Sequence, residues 1–215
     1  MKKKPWPTKD AMKQVYDLKL WGDNNTAFYS GEGSHNDTIV QPYLEAVQSF
    51  LSSFEFPLTV CDLGCGDFNI GKELVPYTSS YVAVDIVPEL IEHNRSVFQL
   101  NNLQFQSLDI ATDPLPKGDC AIVRQVLQHL SNDEVSRVVS KLSGYNYVIL
   151  TEHLPNGEFI PNIDIISGQG IRIKKKSGIR LTDPPFSMQV KNEKQLLRIQ
   201  LKDGKGVIET MLYTF

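Results

Sequence analysis

The sequence predicts an α/β fold: a doubly wound, mostly parallel sheet of seven strands in a three-layer α/β/α arrangement, finished by an antiparallel C-terminal hairpin. Three observations predict it. From Pro57 onward, short apolar runs alternate with helical segments; four of the five runs carry a polar or acidic residue at their C-terminal end; and the last twenty residues hold two strand-like runs joined across Asp203-Gly204-Lys205-Gly206. Alternation of this kind forces right-handed crossovers and parallel pairing, whereas a glycine-bearing turn between two runs signals a hairpin.

The elements follow in order. Residues 8–20 have helical potential, ending near Gly22 and the turn-rich "GDNN". After the polar "YSGEGSHND", a helix is expected from Thr38 to Phe54, because Val40, Leu44, Val47, Phe50 and Leu51 recur at three- and four-residue spacing. The strand candidates are 58–63, 81–86, 103–110, 120–125 and 147–152. Between them 69–76, 88–98 and 131–142 read as helices, with Pro88 suited to a first turn and Ser131 to an N-cap ahead of Glu134. Residues 153–190, with Pro155, Pro161, Pro184 and Pro185, exceed an ordinary connection and read as a lid-like insertion. The expected organisation is an N-terminal helical cap (1–56) packed on a core domain (57–215).

Composition limits the function classes. At 215 residues, 41% hydrophobic and 22% charged, the chain suits one globular domain with appendages, and no apolar run approaches the ~20 residues of a membrane span. The start "MKKKPWPTKD" is basic, yet Pro5, Pro7 and charged residues stand where an apolar region would follow, so no targeting segment is read. Cys61, Cys65 and Cys120 are odd in number and suit free thiols in a reducing cytoplasm. A net charge of −3 offers no attraction to a phosphate backbone, and the run Lys174-Lys175-Lys176 reads as a solvated loop. The expected partner is a small molecule, with neither nucleic acid nor membrane, for a monomer or homodimer.

The stretch "VCDLGCGDFNIG" (60–71) carries the functional signal. In an open parallel sheet, ligands bind beyond the C-terminal strand ends. Asp62, Asp85 and Asp109 are expected at three such ends, with Gly64 and Gly66 letting backbone approach a ligand. Asp85 lies nineteen residues past Gly66, where a carboxylate accepts ribose hydroxyls. A dinucleotide would need G-x-G-x-x-G, but Asn69 occupies the third glycine's place and Asp67 sets negative charge against a pyrophosphate. An acid there suits a cationic amino group. Asp62 and Asp67 together thus point to a ribose-bearing ligand with an amino-acid part, S-adenosylmethionine.

With these residues the chain resembles the class I S-adenosylmethionine-dependent methyltransferases, a Rossmann-like family. "VCDLGCGD" is similar to their first motif, "VAVDIVPELI" to the second, "QSLDIATDPLP" to the adenine-contacting region and "CAIVRQVLQHLS" to the strand-to-helix segment after it. The likeness covers about residues 28–215. "GCGDFNIG", "SGEGS" and a later "DI-x-SG…PPF" resemble a bacterial subgroup of small-molecule type. Phe68 departs from the pattern, standing where many members carry a third glycine. The resemblance implies that backbone at Asp62, Gly64 and Gly66 lines the methionine and ribose. It further implies that Asp85 binds ribose, Ile86 packs on adenine, Asp109 accepts from the adenine amino group beside Ile110, and Arg124 and Gln125 face the sulfonium. The alternative is a glycine turn that packs a helix on the sheet, with capping acids.

Gly31, Gly33 and Ser34 are expected at the cofactor, since small residues permit close approach; a linker between helices is the alternative. Trp21 and Tyr29 suit either a ligand cover or packing. "TDPPF" (182–186) is similar to the motif of methyltransferases acting on base amino groups, but the fourth-strand slot is filled by "CAIVRQ", so it reads as a rigid turn. Candidate bases near the strand ends are His129, Glu152, Asp164 and, ranked lower, His153; Asp164 and Arg172 suit an acceptor-orienting pair. No residue spacing suggests a metal. The expected activity is methyl transfer from S-adenosylmethionine to a small polar acceptor at a hydroxyl oxygen. The rivals are a nicotinamide-dependent oxidoreductase, a cofactor-binding protein without turnover and a nucleic-acid methyltransferase.

Overall fold

The computed structural model describes residues 5–215; Met1 to Lys4, the basic start on which the reading of no targeting segment partly rests, lie outside the described residues. Strands β1 (Thr59–Leu63), β2 (Ser80–Asp85), β3 (Leu103–Ser107), β4 (Cys120–Arg124), β5 (Tyr147–Leu154), β6 (Asn192–Gln200) and β7 (Val207–Thr214) form one sheet. Its order is β3-β2-β1-β4-β5-β7-β6. The first five strands pair in parallel, and β7 runs antiparallel between β5 and β6. The strand order reverses between β1 and β4, so their C-terminal ends diverge there and leave a crevice.

Each strand divides its side chains between two cores, because successive residues point to opposite faces. Cys61 and Leu63 of β1 join Ala121 and Val123 of β4 in one cluster, covered by Val135, Val138 and Leu142 of α4 (Asn132–Leu142). Val60 of β1 joins Cys120 and Ile122 in the other, covered by Tyr43, Leu44, Val47 and Leu51 of α2 (Asp37–Leu51) and by Ile91 of α3 (Pro88–Val97). Helix α1 (Thr8–Asp17) stands apart from both. It packs Met12 and Tyr16 on Val87 and Leu90, beyond the end of β2.

Local signals act as their chemistry requires. Ser131 and Glu134 form a reciprocal capping box, and Pro88 occupies the first turn of α3. Residues 69–76 do not form the expected helix. They make two 3-10 turns, 71–73 and 75–77, in which Leu74 N donates to Gly71 O and Tyr77 N to Leu74 O. Pro76 has no N–H for an α-type bond, and a Cβ at Gly71 would lie 2.2 Å from the Phe68 ring. Strand β3 ends at Ser107, short of 110, since Asp109 opens a turn by accepting from Ala111 N at 2.8 Å.

Between β5 and β6 no strand forms. This segment buries Ile179, Leu181 and Met188 in the α4-side core. Buried backbone without a ladder needs side-chain partners, and buried Asn162 supplies them: its Nδ2 donates to Arg180 O (2.8 Å) and Pro184 O (2.9 Å), and its Oδ1 accepts from Arg180 N (2.9 Å). Among the described residues, no helix is long and apolar enough to cross a membrane.

Candidate active site

The glycine turn after β1 is built against β2. Gly66 has φ 57°, and a Cβ there would lie 2.4 Å from Ser30 Oγ, so the position admits only glycine without rearrangement. Asp85, at the end of β2, reaches back into this turn: Oδ2 accepts from Gly66 N and Oδ1 from Val87 N, both at 3.1 Å. Burial nevertheless pushes its carboxyl up to about 6, and the backbone donors of Val87, Gly66 and Ile86 only partly offset this. A buried carboxylate in that state gains from further donors, such as a vicinal diol.

Phe68 shows how the turn accommodates a large residue. Its φ of 61° sends the ring away from the crevice, into the α2-side core against Phe105 (4.8 Å between centroids) and Phe98 (5.1 Å). The departure from the glycine pattern therefore does not crowd the crevice.

The 29–36 leader straps across the strand ends. Ser30 N donates to Asp67 Oδ2 and Asp67 N to Ser30 Oγ, both at 2.8 Å, while Tyr16 Oη lies 3.1 Å from Ser30 Oγ. Asp67 also meets His35 Nε2 at 2.6 Å. Asn69 Nδ2 donates to Ser34 O, and Arg124 Nη2 to Gly33 O. At Gly33 a Cβ would lie 2.0 Å from Gln125 Oε1, so a side chain there would have to displace that amide. These bonds correct the reading of Asp67 as a ligand acid, since its carboxylate is spent on the strap.

Under strap and turn lies a cavity of about 540 Å³. Of the candidate residues, Gly31, Ser34, Gly64, Gly66, Asp85, Ile86, Asp109, Ile110, Arg124, Gln125 and His129 line it, as do Gly33 and Trp21. Asp62 does not. Side-chain alternation turns it beneath the sheet face, where it accepts from Tyr81 Oη at 3.0 Å, and burial pushes it up to about 7. Arg124, on the same face of β4, lies 4.7 Å from the Tyr43 ring centre, and its buried Nε has no partner.

Asp164 also stands outside the cavity. Its exposed carboxylate accepts from Asn132 N (2.7 Å) at the start of α4, a capping role. Arg172 is 1% exposed and donates to four oxygens: Ile163 O (3.1 Å), Leu127 O (3.0 Å), Leu130 O (2.7 Å) and Asn132 Oδ1 (2.6 Å). It is a staple for the 127–130 turn, with four of its five N–H donors engaged, and it does not line the cavity. Residues 182–186 do not line the cavity either, which separates "TDPPF" from base recognition.

The same turn is gripped from the sheet. Glu152, in β5, accepts from Leu127 N and Gln128 N, both at 3.1 Å. Burial raises its carboxyl to about 8, opposed first by Arg172. His129 is thus held between a carboxylate on the turn's N–H groups and a guanidinium on its carbonyls. Its Nδ1 lies 3.2 Å from Gly168 O, which only accepts, so Nδ1 carries the hydrogen and the Nε2 lone pair accepts from Gln128 Nε2 at 3.4 Å. Burial lowers the ring to about 4 and keeps it neutral. His153, by contrast, turns to Lys205 O at 2.6 Å, away from the cavity.

Sequence reasoning missed the outer wall of the cavity. Thr8, Met12 and Tyr16 of α1, Gln128, and Gln169, Ile171 and Lys174 of the long segment all line it. The helical period of α1 marked a buried face but not what that face covers. One carboxylate joins the pieces, Glu134, which accepts from Thr8, Ser131 and Ser167 hydroxyls.

Comparison with known proteins agrees with this fold. Residues 60–145 match the family model described as a methyltransferase domain. Human acetylserotonin O-methyltransferase is 28% identical over 132 residues, 54% of this chain, and the chain matches about a third (36%) of that enzyme's length. The fold is similar to that of the N-methyltransferase NodS from Bradyrhizobium japonicum WM9, with S-adenosyl-l-homocysteine (TM-score 0.66, 11% identity, 94% of this chain and 97% of that one). It is also similar to magnesium protoporphyrin IX methyltransferase from Synechocystis PCC 6803, with SAM bound (TM-score 0.61, 18% identity, 99% and 100%). The central segment is thus similar to a methyltransferase domain, and the chain has the fold of S-adenosylmethionine-dependent methyltransferases.

Proposed function

We propose that this protein is an S-adenosylmethionine-dependent methyltransferase that methylates a small acceptor at a hydroxyl oxygen. One observation carries the cofactor: a buried Asp85 carboxylate, tied to Gly66 N and Val87 N, faces the cavity with lone pairs to spare. That acceptor fits a ribose diol, whose hydroxyls donate. Ile86 and Ile110 offer apolar surface and Asp109 an acceptor for an adenine, while Gly64, Gly33, Ser34 and Gln125 bound the space for the methionine part. The unpartnered Nε of Arg124 fits an anionic end nearby.

S-adenosylmethionine, when bound, supplies a methyl group already activated by the sulfonium charge. The chain's task is then alignment and removal of one proton. His129 Nε2 accepts the hydroxyl proton as the acceptor oxygen takes the methyl group, and Gly168 O stabilises the resulting imidazolium through Nδ1–H. Glu152 and Arg172 fix the turn that presents this ring. An oxygen acceptor agrees with the O-methyltransferase relative. The unpaired cysteines Cys61, Cys65 and Cys120 suit a reducing compartment, the cytoplasm.

Titration with S-adenosylhomocysteine by calorimetry tests the cofactor. Saturable binding at micromolar concentration is expected, and no heat at millimolar ligand would overturn the reading. Transfer of labelled methyl from the cofactor to a metabolite extract then tests the acceptor atom; a product labelled at nitrogen or carbon would refute oxygen.

A further inference from the structure

We propose that the acceptor is a flat, apolar-bodied small molecule bearing an acidic group, held by Trp21 and paired with Lys174. The inference rests on the methyltransferase reading and names its substrate class. Two walls bound the cavity. The inner wall is the strand ends and the 30–34 strap, and it carries the acids Glu32, Asp85 and Asp109. The outer wall is α1, the turn after it, the 127–130 turn and the 169–174 stretch. The cofactor's recognition groups belong to the inner wall, so the acceptor meets the outer one.

The outer wall has a definite chemistry. Its body is apolar, with Met12, Leu20, Trp21, Leu130 and Ile171. The Trp21 indole stands beside the His129 ring, with centroids 5.1 Å apart and planes at 47°, which leaves aromatic surface next to the proposed base. Gln169 Nε2 donates to Leu20 O at 2.8 Å and pins this surface to the long segment. A planar body suits such a surface, since aromatic faces bury large area at little entropic cost.

Charge selects further. No carboxylate of the outer wall lines the cavity, and its one formally charged lining side chain is Lys174. Among the described residues Lys174 makes no ion pair, whereas Arg172, which does not line the cavity, donates to four oxygens and Lys175 Nζ donates to Asp164 O. One member of the basic run that reads from sequence as a solvated loop, Lys174, therefore sets a positive charge at the cavity, on a chain whose net charge is −3. A local field of this sign attracts an anionic ligand and discourages a cationic one.

The test uses the full chain saturated with S-adenosylhomocysteine and three probes of one shape: 4-hydroxybenzoate, 4-hydroxybenzamide and 4-hydroxybenzylamine, titrated by calorimetry. The carboxylate should bind tighter than the amide by about three- to tenfold, and the amine weakest. Lys174→Gln should abolish the preference and Lys174→Glu should invert it, while Trp21→Ala should weaken all three probes and leave S-adenosylhomocysteine affinity within about threefold. Equal binding of the three, a preference that survives Lys174→Gln, or no binding of any probe to the saturated protein overturns the inference. Failure of S-adenosylhomocysteine itself to bind overturns the cofactor reading first, and is seen before any probe is added.

Discussion

Replacing Asp85 with asparagine separates ligand recognition from folding, because at neutral pH the stability terms offset each other and the binding terms do not. In the free protein, burial raises the Asp85 carboxyl from an ordinary 3.8 to about 6. A carboxyl raised on folding contributes stability in acid that is lost as pH rises through the folded value; the gap corresponds to about 3 kcal/mol, lost between about pH 4 and 6. Asparagine carries no charge and escapes this loss. It still offers one oxygen to Gly66 N or Val87 N and turns an amide hydrogen toward the other, which costs about 1–3 kcal/mol for the unpaired donor. The two effects nearly cancel above pH 7, so the variant should melt near the wild type at pH 7.5 and below it at pH 4.5. Binding has no such offset. A diol donating to an ionised carboxylate loses at least one charge-assisted bond, about 1.5–3 kcal/mol, or roughly 10- to 150-fold in S-adenosylhomocysteine affinity. Calorimetry at pH 7.5 and melting curves across pH 4.5–7.5 read both quantities. Affinity within threefold of wild type, or a melting difference independent of pH, would refute the assignment of Asp85.

Three further outcomes are expected. His129→Ala should slow methyl transfer to a hydroxyl acceptor by about 10²–10⁴ while leaving S-adenosylhomocysteine affinity within threefold; since burial holds the ring near 4, the acid limb of kcat/KM in the wild type should fall near pH 4, not near 6.5. Arg172→Lys presents one ammonium where a fork served four oxygens, so stability should drop by about 2–4 kcal/mol in chemical denaturation, with turnover reduced more than cofactor affinity. Gly33→Ala places a methyl against Gln125 Oε1 and should weaken S-adenosylhomocysteine binding by displacing the strap, measurable by calorimetry, with the melting temperature changed by only a few degrees.

The sequence by itself determined the sheet and the glycine turn. Strands leave a local signature, namely apolar runs of four to eight residues bounded by turn chemistry, and β1, β2, β4 and the hairpin fall where those runs stand. The capping box at Ser131 and the proline at the start of α3 are equally local, made by residues within one turn. Gly66 and Asp85 were paired by spacing alone, because the length of one β-turn-β crossover is nearly fixed.

Tertiary structure decided what spacing cannot encode. It turned Asp62 beneath the sheet toward Tyr81, spent Asp67 on the Ser30 strap and set Asp164 on the end of α4. It also brought α1 and the 167–174 stretch, more than 140 residues apart in sequence, together through Glu134. A carboxylate looks the same in sequence whether it faces a ligand, a backbone N–H or a tyrosine. Its role is fixed by which donors arrive beside it, and those come from distant segments whose meeting depends on the packing of the whole chain.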